Sequence, residues 1–375
     1  MKQTKPLPPA DPDLAEQAQP GHGIPSQDPT PAAQTPLAPE DAEREAKSVW
    51  MGGGAMAGAA TGAAIGVATA GPVGVVVGGT LGAVAGALGG AAAGTVAPAE
   101  PAADPVPAGA VRLHIEDSGG GGRPVVLIHG WPMSAQSWDH QVPALRSAGC
   151  RVVAYDRRGF GRSDKPASGY DYDALADDLQ RVMDQCGLQD VTLVGFSMGG
   201  GEVARYIARH GASRLRSVVF AAAVPPYLMK TADNPDGPLE PDAAQQMKSA
   251  LEQDREAFFD RFTRDFFSAH GALQVSEAQR ADAVALCLQS APQAALACME
   301  AFGATDFRGD LKQVQLPTLV IHGDADAIVP LEGSGQRTHR AIAHSTLVVV
   351  SGGPHGLNTS HAQPFNDALR SFLRA

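Results

Sequence analysis

The sequence predicts a doubly wound, mostly parallel α/β sheet with a helical lid insertion, and three observations lead there. From residue 111 onward, short Val-rich apolar runs alternate with amphipathic stretches, the pattern of strands buried on both faces by intervening helices. One serine, in Gly195-Phe196-Ser197-Met198-Gly199, stands between such a run and a helical stretch, at the sheet edge where open α/β folds bind ligands. Residues 225–306 hold long helical patterns in place of a strand and read as a lid over the carboxyl ends of the strands.

Taken in order, residues 1–47 are rich in Pro, Ala, Asp, Glu and Gln. Such a composition buries too little apolar surface to offset chain entropy, so a disordered tail is expected. Its start, MKQTKPLPPADPDLAEQ, has two lysines without an apolar run behind them, so no secretory signal is expected. Residues 48–99 carry no charged side chain, and Gly54, Gly58, Gly62, Gly66, Gly74, Gly78, Gly82, Gly86, Gly90 and Gly94 keep one four-residue period with Ala70 in the gap. On a helix that period makes a ridge of small residues along which two backbones approach closely. Gly71-Pro72 would divide it into two arms of roughly bilayer-spanning length. The segment resembles the glycine-zipper hairpins of bacterial membrane-associated proteins. A membrane-associated hairpin is expected, with a soluble self-associating hairpin or a flexible linker as alternatives. Residues 100–110 read as a Pro/Ala linker, and residues 111–375 as the globular domain.

Within that domain, residues 123–130, 150–156, 190–197, 215–224, 316–324 and 345–352 read as buried parallel strands. Helical spacing marks residues 137–149, 170–187, 200–211 and 333–344, and residues 241–267 and 276–303 within the lid. The net charge of −11 leaves no basic footprint for nucleic acid. The four cysteines, Cys150, Cys186, Cys287 and Cys298, lack C-x-x-C spacing and read as reduced packing residues in a reducing compartment. A cytoplasmic protein is expected, tethered to the inner face of a bacterial membrane if the hairpin inserts.

The serine is the centre of the chemistry. Glycines two before and two after it relieve crowding in a sharp strand-to-helix turn that holds the hydroxyl out at the sheet edge. The helix that follows brings its N-terminus, with free N–H groups and partial positive charge, to that hydroxyl. A serine needs a base and the base an orienting acid. His355, in the Gly/Pro-bounded loop GGPHGLNTS, is the candidate base, and Asp326 or Asp324, in HGDADAIVP, the candidate acid. Spacing does not choose between the two aspartates. A second oxyanion donor is expected from the loop His129-Gly130-Trp131-Pro132, where the backbone N–H of Trp131 would pair with that of Met198.

With those motifs in place, residues 111–375 resemble the cofactor-free non-haem chloroperoxidases, or perhydrolases, and the related bacterial aryl esterases of the α/β-hydrolase superfamily. HGWP, YDRRGFGRSD, YDYDALADDL, VTLVGFSMGGGEVARYIARHG, TDFRGDL and PTLVIHGDADAIVP carry the resemblance. It implies Ser197, Asp326 and His355 as a catalytic triad and leaves Asp324 as a turn residue. It also implies a serine hydrolase acting on short-chain or aryl esters without cofactor or metal, and assembly into a homo-oligomer. Pro132 stands where efficient perhydrolases have proline, thought to shift a backbone carbonyl toward bound peroxide. Peracid formation from carboxylic acid and hydrogen peroxide is thereby implied, with the peracid oxidising halide in free solution. Phe196, inside the elbow, is expected to help position substrate or peroxide. Ala327 and the Leu357-Asn358 pair depart from the family's usual residues and bear on the acyl pocket.

An epoxide hydrolase or haloalkane dehalogenase would share the fold but place aspartate where Ser197 stands. C–C bond hydrolases and acyltransferases keep a serine triad and differ by pocket contacts. A membrane scaffold whose glycine zipper is the functional part would have no need of a serine, histidine and aspartate in this order.

Overall fold

The computed structural model describes residues 111–374. The expected tail, glycine-zipper hairpin and linker at residues 1–110 lie outside the described residues. A seven-stranded sheet runs in the order β1 (Ile115–Asp117), β3 (Arg151–Tyr155), β2 (Pro124–Ile128), β4 (Val191–Phe196), β5 (Leu215–Ala221), β8 (Thr318–Gly323), β9 (Ser345–Val350). All neighbours are parallel except β1 with β3. Each residue of β4 and β8 is buried, so both sheet faces are covered, as their unbroken apolar sequences require. Helices α2 (Tyr172–Gln185) and α3 (Met198–His210) pack on each other, and α1 (Gln141–Ser147) packs on the C-terminal α11 (Ala362–Arg374).

Register places the loops. Ile128 pairs with Gly195, so β2 and β4 end side by side and release the loops that carry Trp131 and Ser197. Gly323 pairs with Val350, so β8 and β9 likewise end together and release the loops that carry Asp326 and His355. β5 lies between the two pairs. Four loops distant in sequence thus meet at one edge of the sheet.

The lid region between β5 and β8 is built from α4 (Pro241–Gln253), α5 (Arg255–Phe267), α6 (Glu277–Leu288) and α7 (Pro292–Ala304), with a hairpin of β6 (Ser268–Ala269) and β7 (Ala272–Leu273) between α5 and α6. Each of the two helical stretches read from sequence is a helix pair, and local chemistry sets the breaks. Asp254 is extended, and its carboxylate accepts the Ala257 N–H at 3.0 Å, capping α5. Ser276 and Gln279 form a capping box on α6. Pro292 opens α7, where its missing N–H costs nothing. The short α8 (Arg308–Leu311) comes between the lid and β8, α9 (Gly335–Ala341) comes between β8 and β9, and α10 (Leu357–Ser360) precedes α11.

Of the elements unread in the sequence, which include the β6–β7 hairpin and the short α8 and α10, two join or pack on the main sheet. β1 is three residues long, partly exposed and polar at two of them, so it has no apolar run to announce it. α11 follows the last strand and fills the core with Phe365, Leu369 and Leu373 at helical spacing. Phe365 is fully buried, its ring tilted against that of Trp138 at 6.4 Å between centroids. Phe365→Ala is expected to lower unfolding stability by about 3–5 kcal/mol. A denaturant midpoint unchanged from wild type would show that α11 is not part of the core.

Candidate active site

The site is assembled around a backbone turn. Ser197 leaves β4 at φ +53° and ψ −119°, a conformation that L-residues avoid at a cost of about 1–3 kcal/mol. Crowding there is severe: a Cβ on Gly195 would lie 2.4 Å from the Gly199 carbonyl oxygen, and one on Gly199 would lie 2.5 Å from that of Ile128. Only glycine fits at either position. The turn is held by hydrogen bonds on both sides of the serine. Its N–H donates to the Ala221 carbonyl at 2.9 Å, and its own carbonyl accepts from the N–H groups of Gly200 (3.0 Å) and Val224 (3.2 Å).

The three residues named from sequence meet at hydrogen-bonding distance. His355 Nε2 is 2.9 Å from Ser197 Oγ, and His355 Nδ1 is 2.7 Å from Asp326 Oδ2. Asp326 Oδ1 accepts the backbone N–H groups of Ile328 (2.9 Å) and Val329 (2.8 Å), and Nε2 of the fully buried His322 lies 3.2 Å from Oδ2. Burial alone would raise the Asp326 pKa. The attraction and hydrogen bonds of His355 and His322 outweigh burial and hold the carboxyl well below the usual range. Asp324, the other aspartate of the loop, is exposed and accepts the Gly352 N–H at 2.6 Å, tying the two loops together. The geometry therefore puts Asp326, and not Asp324, on His355.

The two expected oxyanion donors sit where unpaired N–H groups are available. Among the hydrogen bonds of the described residues, neither the Trp131 nor the Met198 backbone N–H has a protein acceptor. A Cβ on Gly130 would touch Phe196 at 2.7 Å and the Ser197 Cβ at 3.1 Å, which sets the Trp131 loop directly against the serine. Pro132 is buried in the turn closed by the Met133 N–H on the Gly130 carbonyl (3.1 Å). Phe196 packs its ring on the His355 imidazole at 5.3 Å between centroids, and Phe266 of the lid meets the same imidazole edge-on at 5.1 Å.

The lid closes over this edge. The Trp131 indole N–H donates to the Ala295 carbonyl of α7 at 2.9 Å, and its ring meets Phe258, Phe259 and Phe262 of α5 and Phe302 of α7 edge-on. Beside Ser197 and His355 remains a narrow cavity, lined by apolar side chains that include Val224, Leu228, Met247 and Phe262, which offers water-sized molecules about 70 Å³. His355 is the one ionisable side chain among the residues that line this cavity. No group of His, Cys, Asp and Glu able to hold a metal ion occurs among the described residues, and no helix among them is long and apolar enough to cross a membrane. All four cysteines are free. Burial pushes the Cys298 thiol up to about 12 and the Cys287 thiol higher still, which suits inert packing residues.

Sequence reasoning missed two groups. His322 opens the H-G-D-x-D stretch, and only the fold reveals that its ring meets Asp326. The second is a buried network of His129, Tyr155, Arg157 and Glu202 beneath the Trp131 loop. Arg157 Nε donates to Glu202 Oε1 at 2.6 Å, and the Tyr155 hydroxyl donates to Glu202 Oε2 at 2.9 Å. Arg157 Nη2 donates to the His129 carbonyl at 2.6 Å, and the Arg157 backbone N–H donates to His129 Nε2 at 2.9 Å. The sequence signal was the YDRRGFG stretch, whose first arginine has no exposed role.

Comparisons agree with this architecture. The model of the alpha/beta hydrolase fold family matches residues 123–362. A putative non-heme chloroperoxidase of Synechocystis is 42% identical over 266 residues, covering 70% of this chain and 95% of the relative. A bifunctional esterase/perhydrolase of Acinetobacter calcoaceticus is 36% identical over 269 residues, covering 71% and 97%. Among solved structures, a bromoperoxidase from Bacillus anthracis is 52% identical with a TM-score of 0.69, covering 71% of this chain and 96% of that one. With a serine at the elbow, a histidine and an aspartate in series behind it, and relatives of this kind along its whole globular domain, the chain belongs to the α/β-hydrolase fold family, in its branch of non-heme chloroperoxidases and esterases.

Proposed function

We propose that this enzyme hydrolyses short-chain or aryl carboxylic esters through an acyl-enzyme on Ser197 and, supplied with hydrogen peroxide, forms peracids at the same serine. The observation that carries the reading is the unbroken series Ser197 Oγ, His355 and Asp326 opening into an apolar cavity. His355 Nε2 takes the hydroxyl proton as Ser197 Oγ attacks the ester carbonyl, while Asp326 accepts the Nδ1–H and stabilises the imidazolium. The carbonyl oxygen, now negative, receives the N–H groups of Trp131 and Met198. Collapse expels the alcohol, which takes its proton from His355. Water then attacks the acyl-serine by the same route and releases the acid.

Hydrogen peroxide in place of that water gives peracid and free Ser197, with no change of oxidation state at the enzyme. A carboxylic acid can equally load the serine, with loss of water. Halide oxidation then belongs to the released peracid and needs no metal. Pro132, beside the donor Trp131, and Phe196, packed on His355, fit positioning of peroxide and acyl group. The names of the Acinetobacter and Synechocystis relatives support both activities. Within this reading the glycine-rich segment 48–99 serves as a tether and contributes nothing to the chemistry.

Full-length protein assayed with p-nitrophenyl acetate, and separately with acetate, hydrogen peroxide and bromide, tests the proposal. Ser197→Ala is expected to lose both activities, by about 10⁴-fold or more; retention of either would remove Ser197 from the mechanism. Pro132→Leu is expected to keep ester hydrolysis and lower the ratio of peracid formation to hydrolysis on the order of 10-fold, and an unchanged ratio would reject the role of Pro132. Because the folded-state pKa of Asp326 is depressed, its ionisation contributes stability that is fully present above the ordinary value of 3.8 and is lost as pH falls through the lower folded value. The difference in melting temperature between wild type and Asp326→Asn should therefore be widest at neutral pH and narrow below about pH 4. A gap independent of pH would contradict the ionised, hydrogen-bonded carboxylate.

A further inference from the structure

We infer that Arg157 is a positioning residue for the oxyanion donors: through His129 it orients the Gly130–Trp131 peptide, and through Glu202 it ties that peptide to the helix that begins at Met198. The inference rests on the ester-hydrolysis reading above, which makes those N–H groups donors to the oxyanion.

The geometry is specific about hydrogens. His129 Nε2 faces the Arg157 backbone N–H at 2.9 Å, and His129 Nδ1 faces the Gly130 carbonyl oxygen at 2.8 Å. Only one neutral tautomer satisfies both contacts, with the proton on Nδ1 and the lone pair on Nε2. The ring is held neutral, since burial and then the Arg157 charge press its pKa down to about 3. The Arg157 Nη1 contact with Nδ1 at 3.2 Å is then a close approach of two donors and adds no hydrogen bond. The Gly130 carbonyl thus accepts from His129 Nδ1–H and from the Met133 N–H. A trans peptide sets its N–H opposite its C=O, so fixing this carbonyl aims the Trp131 N–H. The Ser197–Met198 peptide repeats the device: the Ser197 carbonyl accepts from Gly200 and Val224, and the Met198 N–H points away from both.

What connects the two peptides is the ion pair. Arg157 grips the His129 ring and carbonyl from its own backbone and guanidinium, and grips Glu202 on α3, four residues beyond Met198. Both partners are out of solvent, Arg157 at 1% and Glu202 at 0% exposure. Burying two charges costs several kcal/mol, so a buried pair is weak support for stability by itself. Holding two hydrogen-bond donors at a fixed separation is a task that apolar packing in the same volume does not perform.

Full-length Arg157→Lys, His129→Asn and His129→Gln, with Ser197→Ala as control, test the inference. Titration of active sites with a phosphonate gives the competent fraction. Turnover of p-nitrophenyl acetate per competent site gives kcat and KM, and the dissociation constant of phenylboronic acid, whose tetrahedral serine adduct carries a negative oxygen, reports the donors directly. Arg157→Lys keeps a cation for Glu202 but loses the forked grip, and kcat per site should fall about 10- to 100-fold with boronate binding weakened in proportion and KM little moved. Asparagine can present an amide N–H where Nδ1–H stood, whereas glutamine extends to the Nε2 position, so His129→Asn should retain at least several-fold more kcat and boronate affinity than His129→Gln. Should Arg157→Lys fail to fold, the His129 pair decides alone. A fall confined to the competent fraction, with per-site kcat and boronate affinity as in wild type, or equal losses in the two His129 variants, overturns the inference while leaving the ester reading intact. Turnover surviving in Ser197→Ala overturns the ester reading and this inference with it.

Discussion

The rest of the structure is arranged around the hydrogen bonds that hold Ser197 in a backbone conformation it would not adopt alone. A positive φ at a serine costs about 1–3 kcal/mol, and nothing local offsets it, because the hydroxyl is directed to His355 and not to a neighbouring N–H. The offset is tertiary. β5 supplies the Ala221 carbonyl, the strand's extension supplies the Val224 N–H, and β2 comes so close that residue 199 must lack a side chain. The parallel register of β2, β4 and β5 is therefore part of the site: a slip in pairing would remove the partners that keep the hydroxyl at the sheet edge.

Charge placement follows from the same burial. In a cavity walled by Phe, Leu, Val and Met, each polar group gains or loses more than it would in water. Asp326 is kept ionised by two backbone N–H groups and two histidines, so the acid that steadies His355 is not itself a proton store. Neutral His129, a few residues along the chain from Trp131, is kept uncharged by burial and by the arginine that binds it. Two buried histidines near the serine thus have opposite duties. In the proposed mechanism His355 carries a proton during turnover, whereas His129 stays neutral.

Much of this was legible in the sequence because it is written in local patterns. Six strands could be read because parallel strands are continuous apolar runs, although β9, expected to be buried, lies at the sheet edge with only Val350 buried because no further strand covers it. The elbow could be read because its glycines bracket the serine at fixed offsets. β1 was not legible, having only Ile115 as an apolar residue in a polar, half-exposed triplet. The choice between Asp324 and Asp326 was not settled by spacing, since two residues of separation within one loop decide only that their side chains diverge. Which one turns inward depends on the N–H groups of Ile328 and Val329 and on the loop of Gly352. Arg157 and Glu202, 45 residues apart, look like ordinary members of a turn and a helix until the sheet brings them together. The resemblance to perhydrolases and aryl esterases implied Asp326 as the acid, the aspartate that lies on His355, but had no bearing on this pair.

Trp131 joins the lid to the chemistry. Its backbone N–H has no protein acceptor among the described residues and its loop lies against the serine, while its indole N–H is bonded to Ala295 and its ring is enclosed by phenylalanines of α5 and α7. The same residue is thus a wall of the cavity and, in the proposed mechanism, a bearer of the oxyanion donor. Withdrawal of α7 would break the indole bond and, in the proposed mechanism, loosen the donor peptide. That peptide is also held from below. His129 and Arg157 supply that hold independently of the lid. The opposite wall, at Val224, Leu228 and Met247, makes no such bond to the donor loop. In the proposed mechanism, changes of side-chain volume there alter the pocket alone, whereas changes around Trp131 alter pocket and donor together.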